Sequence, residues 1–145
     1  VQPPEVRAVV LVLLHHDSNR HLDRGASRSA LDRGKEDLFL LAEVLADPGI
    51  DAAVVGIVPL TPALQTLPPG DDYAESITDP GSIAQRLPRL AAATDKPVIA
   101  VVDAGRLFDP LVEILRRGGL PVFCSADRAV RALCTWIDLK RKRED

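Results

Sequence analysis

Residues 96–123 read KPVIAVVDAGRLFDPLVEILRRGGLPVF, and this stretch decides the fold. Val98 to Val102 is a short, continuous run of β-branched residues and alanine, the pattern of a strand buried on both faces rather than one. It gives out at Asp103-Ala104-Gly105-Arg106. Asp109-Pro110 then opens a helix, because proline's fixed φ suits a first turn and its missing N–H costs nothing there. Leu111, Val112, Ile114 and Leu115 recur at helical spacing and face the sheet, and Gly118-Gly119 closes the helix. Pro121 to Cys124 is the next short strand. A strand that returns through a helix to another strand runs parallel to it, since antiparallel neighbours need only a tight turn. The unit predicts a parallel sheet covered by helices.

The rest of the chain repeats this alternation. Val6 to Leu14 (VRAVVLVLL) and Asp51 to Val58 (DAAVVGIV) are further strand-like runs, and Gly56 tolerates close approach of another backbone. Between them, residues 17–34 are polar, Arg-rich and without a period, which predicts a loop. Lys35 to Ala46 then predicts a helix with Leu38, Leu41, Ala42 and Leu45 inward, stopped by Asp47-Pro48-Gly49. Pro59 to Thr78 contains too many breakers for one element and predicts a long, functional loop. Asp79-Pro80 predicts the start of a helix with Ile83, Leu87, Leu90 and Ala91 inward and a kink at Pro88. Ser125 or Asp127 caps a last helix whose expected inward face is Ala129, Val130, Leu133, Cys134 and Ile137. Strand and helix alternate four times, predicting a three-layer α/β/α sandwich with a parallel sheet, flavodoxin-like, with right-handed crossovers placing helices on both faces.

Composition narrows the function. At 145 residues the chain holds one domain, and its 46% hydrophobic content is ample for a core. Aromatic residues are 3% and Met is absent, so no aromatic binding platform is expected. A net charge of -3 with both signs interspersed gives no field for a phosphate backbone, so nucleic acid is not an expected partner. Two cysteines make neither a disulfide framework nor a zinc site, which points to a reducing, cytoplasmic setting. The apolar run Val6 to Leu14 is too short to span a bilayer and has no cleavage site after it, so no signal peptide or membrane anchor is expected. A chain beginning at Val1 without Met reads as lacking its initiator or as a piece of something longer.

In a parallel sheet, ligands bind at the carboxyl ends of the strands, where helix N-termini also present unpaired N–H groups. The places to search are therefore His15 to Asp17, Pro59 to Pro62, Asp103 to Arg106 and Ser125 to Asp127. No glycine-rich phosphate loop of the usual form occurs, which disfavours an autonomous NTPase or dinucleotide enzyme. Gly105 lets backbone approach an anion closely, and the Arg106 guanidinium can bind two phosphate oxygens together; a solvated loop cation is the plainer reading of the same residue. His15, His16 and His21 with Asp17 and Asp23 lack a regular ligand spacing, so no metal site is expected. Asp103 can be read as a phosphoacceptor or general base, or as loop structure. Cys134 and Cys124 read as core residues rather than nucleophiles, for want of a neighbouring histidine. The terminal KRKR suits a solvated helix C-terminus.

Three longer pieces carry a resemblance: LAEVLADPGIDAAVVGIVPLTPALQTLPPG (41–70), TDKPVIAVVDAGRLFDPLVEILRRGGLPVF (94–123) and DRAVRAL (127–133). With D-P-G-I-D-A before a strand, V-P-L-T-P after it and G-L-P-V-F before D-R-A-V-R-A-L, the chain resembles the second flavodoxin-like domain of ADP-forming acyl-CoA (acetyl-CoA) synthetases. That domain is similar to the carboxyl-terminal domain of the succinyl-CoA synthetase β subunit. The match divides the chain into a poorly matching strand and loop (1–34), where GASRSAL (25–31) stands in place of the family's Asn-Pro-apolar-Asp; the succinyl-CoA synthetase-type domain (35–140); and a charged tail (141–145).

The resemblance implies an acid–thiol ligase that interconverts acyl-CoA, ADP and phosphate with free acid, ATP and CoA through an acyl phosphate and a phosphohistidine. It implies a supporting role for this domain, with no catalytic residue, no metal and no cofactor of its own. ATP/ADP, Mg2+ and CoA belong to the complete enzyme. Pro59, Leu60 and Thr61 after the second strand would face the phosphohistidine phosphate, with Gly105 and Arg106 on the same edge. The implied partners are the CoA-binding, phosphohistidine and ATP-grasp domains, in the same enzyme or a partner chain; a homo-oligomer is also allowed. By itself the chain is expected to be inert, and its acyl substrate is not legible. A stand-alone flavodoxin-like anion-binding or receiver-type module, with Asp103 as acceptor or Arg106 as anchor, is the rival reading. A ligand-free fragment that self-associates through an apolar edge is a third.

Overall fold

A computed structural model describes residues 9–14, 30–59, 64–70 and 76–144. The described elements alternate as the sequence pattern requires: β1 (Val9–Leu14), α1 (Ala30–Ala46), β2 (Ala52–Ile57), α2 (Ile83–Ala92), β3 (Val98–Val102), α3 (Asp109–Arg117), β4 (Val122–Phe123) and α4 (Ala126–Glu144). The four strands form one parallel sheet in the order β1-β2-β3-β4. Every residue of β2 and β3 is buried, as their unbroken apolar runs demand of strands covered on both faces.

Side chains on β2 and β3 alternate between two cores. Ala53, Val55 and Ile57 of β2, with Val98, Ala100 and Val102 of β3, join Leu38, Leu41 and Leu45 of α1, Leu87 of α2, and Leu111 and Leu115 of α3. The other set, Ala52, Val54, Ile99 and Val101, meets Ala129 and Leu133 of α4 among the described residues, with Phe123 and Ile137 partly buried beside them. Both faces are covered, as expected, but unequally: among the described residues all three crossover helices share one face and α4 alone covers the other. The strand order never reverses, so three crossovers of one hand stack on one side.

The structure corrects several sequence expectations. Helix α1 begins at Ala30, earlier than Lys35, and Phe39 and Leu40 on it are exposed. Helix α2 starts at Ile83 rather than beside Asp79-Pro80. Asp79 instead closes a turn, its Oδ1 accepting from Gly81 N at 2.7 Å. Ser82 is the cap: its Oγ accepts from Gln85 N at 3.3 Å and donates to the Ile77 carbonyl at 2.9 Å. That buried hydroxyl satisfies a helix donor and a loop acceptor together. Pro88 lies inside α2 and packs against Gly118, where an added Cβ would come within 2.6 Å of the proline ring. The described part of the long loop after β2 is packed: Leu64, Thr66 and Ile77 are buried, and Ile77 N donates to the Leu67 carbonyl at 2.8 Å.

On α4 the inward stripe is Ala129, Leu133 and Ile137, while Val130 is 47% exposed and Cys134 is exposed as well. The expected burial of Val130 and Cys134 is wrong because a single helix resting on a sheet buries a narrow stripe, and these residues lie on its flank.

Candidate functional site

The register fixes which turns can act together. Leu14 pairs with Ile57 and Ile57 with Val102, so β1, β2 and β3 end at one level; Val101 pairs with Phe123, which ends β4 beside them. Pro59 and Asp103 to Arg106 therefore leave the sheet at the same carboxyl edge, together with Cys124 to Asp127. Leu60, Thr61, His15, His16, Asp17, His21 and Asp23 lie outside the described residues. Pro59 is buried and has no N–H, so it can shape the exit from β2 but not donate to an anion.

The exit from β3 is built by two residues. Gly105 adopts φ 73° and ψ 179°, a conformation strained for any residue bearing a Cβ, although the space where a Cβ would stand is open. A single 3-10 turn, Arg106–Phe108, follows, with Phe108 N donating to the Gly105 carbonyl at 3.1 Å. Phe108 is buried in the main core and anchors the turn, leaving Arg106 and Leu107 exposed. Helix α3 starts immediately afterwards with Asp109 in its first turn and Pro110 behind it.

The exit from β4 is occupied by its own side chains. Ser125 Oγ donates to Asp127 Oδ1 at 2.7 Å, and Ala129 N donates to the Ser125 carbonyl at 3.2 Å. Arg128 lies 3.7 Å from the Cys124 sulfur, and Arg131 approaches Asp127 at 3.8 Å. Cys124, expected in the core, is exposed here because β4 is only two residues long and ends before it. Among the described residues of this edge Asp103, Asp109 and Asp127 oppose Arg106 and Arg128, so their field is mixed, and an anion held there would rest on geometry and on Arg106 directly.

Asp103 is exposed, and among the described residues no group of three His, Cys, Asp or Glu side chains is placed to hold a metal ion. The perturbed ionisation the structure resolves lies elsewhere: partial burial on α2 lowers the Arg86 guanidinium below its ordinary value. Sequence reasoning missed the 3-10 turn and a second unusual backbone, Gln65 at φ 50°. The Gln65 Oε1 is buried without a hydrogen-bond partner among the described residues. No helix among the described residues is long and apolar enough to cross a membrane. Comparison of the chain with protein-family models, with curated proteins and with solved structures finds no match.

Proposed function

We propose that this chain is the flavodoxin-like, succinyl-CoA synthetase-type domain of an ADP-forming acyl-CoA synthetase, holding a phosphoryl group presented by a neighbouring domain and inert alone. Two things support the flavodoxin-like part. A flavodoxin-like sheet has the order 2-1-3-4-5. Without its outer strand that order reads 1-3-4-5, an unbroken run of neighbours like the β1-β2-β3-β4 sheet. The sequence pieces that carry the resemblance also fall on the elements that build the carboxyl edge.

The observation that carries the functional reading is the shared edge: Ile57 pairs with Val102, so the chain leaving β2 at Pro59 and the turn of Gly105 and Arg106 depart from adjacent strands at one level. In this reading Arg106 forks onto two oxygens of the phosphohistidine phosphate, and Gly105 allows the main chain to come close. The Leu60 and Thr61 amides and the Thr61 hydroxyl complete the cradle. Such donors would stabilise charge as the phosphoryl group moves between acyl phosphate, histidine and ADP on the other domains. ATP/ADP, Mg2+ and CoA are bound there, in a cytoplasmic enzyme.

Acetyl phosphate separates this reading from its rival. The purified chain should bind it reversibly, more weakly after Arg106→Ala, and show no gain of mass after removal of the reagent. A stable phosphate adduct that Asp103→Asn abolishes would mark a receiver-type module instead. ATP formation from acetyl-CoA, ADP and phosphate by this chain alone would contradict its supporting role.

A further inference from the structure

We draw no further inference here: the strongest candidate, the open apolar groove between the ends of α2 and α3 and the flank of α4 at Phe123 and Trp136, carries nothing because nothing among the described residues shows what covers it.

Discussion

The two faces of the sheet are built from similar strand residues yet carry very different loads. On one, α1, α2 and α3 interlock over Ala53, Val55, Ile57, Ala100 and Val102, and even the loop residues Leu64 and Ile77 join the core. On the other, among the described residues, α4 alone meets Ala52, Val54, Ile99 and Val101 through Ala129 and Leu133. The difference follows from topology: a strand order that advances in one direction sends each same-handed crossover to one side. Stability should therefore reside in the three-helix face.

The sharpest way to break that comparison is to delete matched leucines. Leu111 and Leu133 are both essentially buried, at 0% and 2% exposure. Leu111→Ala should cost about 4 kcal/mol, and Leu133→Ala, where a lone helix can settle into the gap, about 2–3 kcal/mol in urea unfolding. Equal losses would show that the faces are equally packed. Gly118→Ala tests how tightly α2 and α3 abut: its Cβ would meet the stiff Pro88 ring at 2.6 Å, so a loss of about 1–3 kcal/mol is expected, and a neutral result would mean the two helices can part freely. Ser82→Ala removes an α2 cap and leaves the Ile77 carbonyl short of a donor, which should lower the unfolding midpoint by the equivalent of about 1–2 kcal/mol. At the small end, Cys134→Ser on the exposed flank of α4 should stay within about 0.5 kcal/mol of the parent; a larger loss would place that flank in a core after all.

Much of the architecture was legible because its signals were redundant. For α3, Asp109-Pro110, the Leu111–Leu115 spacing and Gly118-Gly119 all point to one helix, and the element runs Asp109–Arg117. Where the signals compete, the sequence misleads. Asp79 and Ser82 are both capping residues, and only packing selects Ser82, whose hydroxyl reaches Ile77. On α4, residues 129, 133 and 137 and residues 130, 134 and 137 satisfy the same helical period, so periodicity could not say which stripe turns inward. At the carboxyl edge, Gly105 and Arg106 were legible as a turn beside a strand end. The 3-10 turn that sets them was not, since three residues carry no period; what identifies it is Phe108 buried behind an exposed Arg106 and Leu107.

The central claim is that two adjacent strand exits hold one phosphoryl group, and titration of the isotope-labelled chain with inorganic phosphate, followed at each backbone amide, tests it most directly. The account predicts saturable shifts confined to Leu60, Thr61, Gly105 and Arg106 and their immediate neighbours, weakened by Arg106→Ala. Shifts centred on the start of α4, or none at Gly105 while phosphate binds elsewhere, would contradict it.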